Sequence, residues 1–159
     1  MKHLILIVVI LFSIGAKAQE KVYKGEREKI NNLIHTKLKV DFNYEESQLN
    51  GEAWISLTPH FYPTNKLVLD AKAFLIHDLK INGTTATYNY SDDELTVELD
   101  RTYERGEHYE IYVKYTARPE QVRQKGSSAI SSAKGLYFID PKEEDDEKPT
   151  QIWTQGETE

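Results

Sequence analysis

Five histidines, His3, His35, His60, His77 and His108, are the side chains of this chain most apt to hold a transition metal. No two of them lie three or four positions apart, so the helical histidine pair flanking a glutamate, which a zinc hydrolase uses, is absent. Their spacing supports no other zinc site, and all but His3 are expected on strands or loops near the surface. Gly126-Ser127-Ser128 lacks the glycine-x-serine-x-glycine turn of a serine nucleophile, and no glycine-rich phosphate loop occurs. The acidic run between Pro141 and Pro149 does not carry the ligand spacing of a calcium loop, and is expected to be a solvated hairpin tip. Asn82-Gly83-Thr84 formally fits a glycosylation acceptor, but Asn82-Gly83 is better read as a turn. Carboxylates are abundant, yet a pair becomes an acid and a base only where the surroundings separate their pKa values. There is no cysteine, which removes thiolate metal sites, a cysteine nucleophile and a disulfide framework together. The chain has no complete catalytic constellation, and no cofactor is expected within it.

The elements that would position any site begin after a leader. Met1-Lys2-His3 is a short basic start, Leu4 to Ile14 is almost unbroken apolar sequence, and Ala16-Lys17-Ala18 has the small-x-small form read by a signal peptidase. The apolar run falls short of the roughly 20 residues that span a bilayer. Residues 1–18 are therefore expected to be a cleaved signal peptide, with no membrane span left afterwards. Its removal takes away Lys2 and Lys17 and moves the formal charge from -6 to about -8. So acidic a chain is not expected to bind nucleic acid, which demands a basic patch. Secretion without cysteines points to a secreted or periplasmic protein of a bacterial envelope.

Residues 19–34 are read as a polar lead-in, suited to a short helix or a loose segment. From His35 the pattern turns to period two. Leu38, Val40 and Phe42 alternate with Lys37, Lys39 and Asp41, predicting a half-buried strand. Asn50-Gly51 favours a tight turn, and Ala53, Ile55 and Leu57 then alternate with Glu52, Trp54 and Ser56. Further strands are predicted at residues 66–70, 74–81, around Tyr88 and Tyr90, at Leu95 to Leu99, and at Tyr109 to Tyr115, before Pro119. Residues 121–134 read as an exposed loop, and strand character returns at 135–139 and 151–154. Short strands between turn residues, with no competing helical period, predict an all-β domain of mainly antiparallel strands, a sandwich or a saddle-shaped twisted sheet. That domain is expected to occupy residues 35–159.

The order of these segments resembles the amino-terminal domain of the aminopeptidase N and leukotriene hydrolase family of zinc metallopeptidases. The resemblance runs through Leu38-Lys39-Val40-Asp41, Leu49-Asn50-Gly51-Glu52-Ala53, Leu67-Val68-Leu69-Asp70-Ala71 and Leu79-Lys80-Ile81-Asn82-Gly83. It continues through Arg105-Gly106-Glu107, Tyr109-Glu110-Ile111 and Gly135-Leu136-Tyr137 to Thr154-Gln155-Gly156-Glu157, its most specific piece. In the family, the glutamine of that last segment contacts bound substrate, and the glutamate two positions later helps hold the free amino terminus. Matching by residue gives those roles to Gln155 and Glu157. A carboxylate is a charge-assisted partner for a protonated amine, and an amide both donates and accepts as a peptide requires.

The resemblance implies a noncatalytic domain of a secreted enzyme that removes amino-terminal residues from peptides. The family's zinc, its histidine-glutamate-x-x-histidine helix and its glycine-rich motif ending in methionine-glutamate-asparagine belong to a later, catalytic domain. That domain would be the partner through which peptide substrates are met. The chain is expected to be a fragment of such an enzyme, inactive alone. The alternative is a stand-alone secreted β-sandwich module binding envelope glycans or a protein partner, with Trp54, Tyr62 or Trp153 as its aromatic platform.

Overall fold

The computed structural model describes residues 28–91, 93–122 and 134–155. The expected signal peptide, most of the lead-in, the serine-rich segment 123–133 and residues 156–159 lie outside them. Ten strands run in chain order: β1 (Asn31–Asn43), β2 (Gln48–Pro59), β3 (Thr64–Asp70), β4 (Phe74–Ile81), β5 (Thr84–Thr85), β6 (Thr87–Ser91), β7 (Glu94–Tyr103), β8 (Tyr109–Ala117), β9 (Leu136–Ile139) and β10 (Gln151–Thr154). They form a five-stranded sheet in the order β1-β2-β8-β4-β5, a three-stranded sheet β3-β7-β6, and the hairpin β9-β10. Every pairing is antiparallel. A 3-10 turn at Pro119–Gln121 follows β8, where Pro119 can no longer serve a ladder. The chain is nearly all β, as its alternation predicts.

The two larger sheets contribute to one core. Leu57 of β2, Leu79 and Ile81 of β4, and Tyr109, Ile111 and Val113 of β8 cluster with Leu67 of β3 and Leu95, Val97 and Leu99 of β7. Each set occupies alternate positions of its strand, so one face of each sheet is apolar and the other is left to solvent. Val97 and Ile111 are wholly inaccessible.

The dipeptide Asn-Gly occurs twice and does different things in the two places. At the β4–β5 connection Asn82 and Gly83 both take positive φ (49° and 85°), the form that matches strand twist. There the Asn82 side chain accepts from the Glu110 backbone N–H at 3.0 Å and donates to the Tyr103 hydroxyl at 2.7 Å. Asn50-Gly51, by contrast, makes no turn. It lies inside β2, with Asn50 opposite Asp41 and Gly51 opposite Val40. The turn falls instead at Tyr44 to Ser47, closed by the Ser47 N–H to the Tyr44 carbonyl at 3.2 Å and by the Glu46 N–H to Asn43 Oδ1 at 3.0 Å. Gly51 is needed for space. A Cβ there would stand 2.5 Å from Cζ of Tyr115, which stacks flat on Phe74.

β1 also departs from expectation at both its start and its faces. It opens at Asn31, inside the polar segment read as a lead-in, because Asn31 is tied by its side chain. Asn31 Nδ2 donates to the Lys66 carbonyl at 3.3 Å, and Asn31 Oδ1 accepts from the Tyr109 hydroxyl at 2.7 Å. The face carrying Leu38 and Val40 is continuous with the inner face of β2, since these residues stand opposite Ala53 and Gly51. Yet Leu38 is 58% exposed and Val40 40%, so the half-buried strand expected there is an open one.

Candidate functional site

The hairpin β9-β10 carries the segment whose residues were expected to meet substrate. Its register places Ile152 opposite Phe138, Trp153 opposite Tyr137 and Thr154 opposite Leu136. Phe138 turns toward the body of the domain and is 8% exposed, with its ring edge-on to Phe42 at 6.4 Å and to Tyr44 at 5.8 Å. This small aromatic cluster, separate from the main core, anchors the hairpin to the end of β1. Tyr137 and Trp153 stand on the opposite face by strand alternation.

The ladder continues one step past Thr154. The Gln155 N–H donates to the Gly135 carbonyl at 2.9 Å, and Gly135 takes a φ of 73° that suits glycine. Continuing alternation therefore puts Gln151, Trp153 and Gln155 in one row on the outer face. Trp153 is 59% exposed, and its indole N–H donates to Gln151 Oε1 at 2.8 Å. Gln155 is exposed too, opposite a residue with no side chain. The row presents a flat apolar ring between two amides, a surface that can stack against a side chain while exchanging hydrogen bonds with a peptide backbone. Glu157 lies outside the described residues.

The acidic connection from Asp140 to Thr150 is held by its own carboxylates. Asp140 accepts from the backbone N–H groups of Glu144 at 2.9 Å and Asp145 at 3.3 Å, while its carbonyl accepts from Thr150 Oγ1 at 3.0 Å. Lys148 pairs with Asp145. The run is a self-capped hairpin tip, as its composition predicts.

No group of three metal-capable side chains comes together among the described residues. His77 Nε2 lies 2.8 Å from Thr116 Oγ1 on the five-stranded sheet, and His60, its ring tilted against Phe61 with centres 3.9 Å apart, lines with Tyr62 a cavity of about 220 Å³. Among the described residues the histidines stand apart from one another and from any cluster of carboxylates that could complete a zinc site.

The aromatic residues weighed for a platform sit on different elements. Trp54 lies on the outer face of β2, Tyr62 in the β2–β3 connection and Trp153 on β10. Tyr112, which the sequence reading passed over, is the partner of Trp54, directly opposite it in register with ring centres 5.2 Å apart. Lys37 Nζ lies over the Trp54 ring and Lys80 Nζ over Tyr112. Tyr112 donates to Glu52 Oε2 at 2.8 Å, and Lys39 meets Glu52 Oε1 at 3.1 Å. Those two bonds hold the Glu52 carboxyl below the usual glutamate range. The Glu52 carboxylate in turn pushes the Tyr112 phenol up to about 12. The only sign of this pair in the sequence was an aromatic residue at a solvent-facing position of each strand.

Comparison with known proteins places this fold among known ones. The family profile for the peptidase M1 N-terminal domain matches residues 31–159, from the first residue of β1 onward. No curated protein matches the chain. Among solved structures, a two-domain M1 zinc metallopeptidase bound to L-arginine aligns with a TM-score of 0.57 and 19% identity, over 70% of this chain and 26% of that one. The M1 zinc metallopeptidase of Deinococcus radiodurans aligns at 0.53 and 17% identity, over 64% of this chain and 22% of its own. Yeast LTA4 hydrolase in complex with bestatin aligns at 0.50 and 13% identity, over 69% and 16%. At these identities the likeness is one of fold, and the chain spans about a quarter or less of each of these proteins.

Proposed function

This chain belongs to the peptidase M1 N-terminal domain family, and from that membership we propose that it is the noncatalytic β domain of a secreted, zinc-dependent aminopeptidase. The family match over all ten strands carries the reading. In this proposal Gln155 and Glu157 face the amino-terminal end of a peptide substrate, Gln155 from the outer row of β10. The zinc and its ligands come from a companion catalytic region, which activates the attacking water. The leader at residues 1–18 directs the protein to the bacterial envelope.

The test begins with the coding sequence after the Glu159 codon, where a histidine-glutamate-x-x-histidine helix is expected. In the protein extended through that region, Glu157→Gln and Gln155→Ala are expected to raise KM for a peptide with a free amino terminus. For Glu157→Gln the rise is about 10-fold to 100-fold, the worth of a lost charge-assisted bond. The 159-residue chain alone is expected to release no amino-terminal residue with zinc added. Zinc-dependent release by that chain, or an unchanged KM in both variants, would overturn the proposal. The alternative of a stand-alone binding module would take its place if an unrelated gene followed and a glycan shifted the Trp54 or Trp153 fluorescence.

A further inference from the structure

β1 is the end strand of the five-stranded sheet, and among the described residues β2 is its sole ladder partner. It is thirteen residues long, and such an edge offers a second polypeptide a row of backbone donors and acceptors. Natural edges are blunted by shortness, proline, bulges, edge lysines or inward charges, and of these β1 carries a bulge near its start and the outer-face lysines Lys37 and Lys39. β1 has no proline, and its inner-face positions after the bulge near Ile34 are Thr36, Leu38, Val40 and Phe42, none of them charged. We propose that two copies of this chain associate through β1, edge to edge and antiparallel, in the register centred on Val40.

The charges on the outer face select that register. An antiparallel two-fold pair sets residue i opposite residue 2c − i, where c is the central position, and keeps inner face with inner face. Centred on Leu38, Lys37 of each copy would face Lys39 of the other. A centre at Lys39 sets that lysine opposite itself, and one at Asp41 does the same with the carboxylate. Only the Val40 centre avoids like charges between positions 38 and 41. It places Lys39 of each copy opposite Asp41 of the other, twice over. On the inner face it brings Leu38 against Phe42 and Val40 against Val40, covering side chains that the monomer leaves exposed. Cross-strand pairs of unlike charge and apolar pairs each add to a sheet, while like charges directly opposite subtract. Glu52, already bonded to Lys39 within each copy, holds that lysine on the outer face. The association uses only the edge strand and stands apart from the family reading, so either can fail alone.

A contact of this size belongs to the weak, concentration-dependent class. Sedimentation velocity of the purified protein is expected to show a monomer–dimer equilibrium in the micromolar range. Lys39→Asp alone and Asp41→Lys alone each create two like-charge pairs and are expected to weaken it about tenfold. An equimolar mixture of the two variants restores unlike pairs throughout and is expected to dimerise at least as well as the parent. Val40→Lys is expected to remain monomeric, with far-UV circular dichroism confirming that the monomer is folded. A monomer at every concentration overturns the proposal, as does a dimer insensitive to Val40→Lys or a mixture that fails to recover.

Discussion

Strands β8 and β1 share the same two-residue alternation, yet Ile111 of β8 is wholly buried whereas Leu38 of β1 is more than half exposed. The inner faces of both belong to one five-stranded sheet, joined through β2. What differs is the cover. β8 packs beneath residues of β3 and β7, while among the described residues β1 has a second layer only at its end, where Phe138 meets Phe42 and Tyr44. Alternation therefore reports that a segment is a strand and which face is apolar. It does not report whether anything lies on that face.

The sharpest way to break this comparison is to truncate one inner residue on each strand. Ile111→Ala is expected to lower stability by about 2–5 kcal/mol, since it removes buried methylenes and leaves a cavity. Val40→Ala on the open strand is expected to lower it by less than about 1 kcal/mol. Urea denaturation of both variants, with equal slopes, gives the two numbers directly. Comparable losses would mean that β1 is covered in solution, and the distinction between the strands would fall.

A smaller effect is expected at Gly51, between the two regions. Alanine there would normally help a strand by about 0.5–1 kcal/mol, because glycine loses more freedom on folding. Here the added Cβ meets the Tyr115 ring, which is stacked on Phe74 with centres 4.6 Å apart and cannot swing aside freely. Gly51→Ala is therefore expected to destabilise by about 1–2 kcal/mol. In the Tyr115→Val background the same change is expected to be neutral or stabilising, a coupling that a double-mutant cycle measures. An additive cycle would show that the ring does not hold this position to glycine.

These positions show why some of the molecule was legible from sequence and some was not. The strands at 95–99 and 109–115 could be read because apolar side chains recur every second residue between turn formers, and 74–81 because it is an apolar run ended by Asn82-Gly83, although a bulge between Ile76 and Asp78 shifts its phase. Asn82-Gly83 could be read as a turn for the same local reason. Asn50-Gly51 misled, because its glycine answers to Tyr115, sixty-four residues away, and no local pattern encodes that contact. The start of β1 was hidden likewise, since Asn31 is drawn into the sheet by Lys66 and Tyr109. At the candidate site, the position of Gln155 on a hairpin end followed from strand character and family resemblance together. Its alignment in a row with Trp153 and Gln151 depends on the β9–β10 register, which single-strand periodicity does not supply.

The smallest effect sharpens the contrast between the two faces of one sheet. On the inner face burial raises the Tyr109 phenol, whereas on the outer face the Tyr112 phenol rises chiefly because it donates to Glu52. The bond favours charged Glu52 and neutral Tyr112, so their shifts have opposite signs for pH dependence. Lowered on folding, the Glu52 pKa gives a contribution present above the ordinary glutamate range and lost as pH falls through the folded value. Raised on folding, the Tyr112 pKa gives one present below about 10 and lost as pH climbs through about 12. Tyr112→Phe removes the donor while keeping the ring beside Trp54 and Lys80. It is expected to move the Glu52 titration, followed by carboxyl carbon NMR, back toward the ordinary glutamate value, with only a minor change in stability for a half-buried pair on the solvent face of the sheet. The remaining depression then belongs to Lys39, and added salt should weaken it. A Glu52 titration unmoved by Tyr112→Phe would place its shift on Lys39 alone, and the two faces would then differ in exposure but not in how their tyrosines are used.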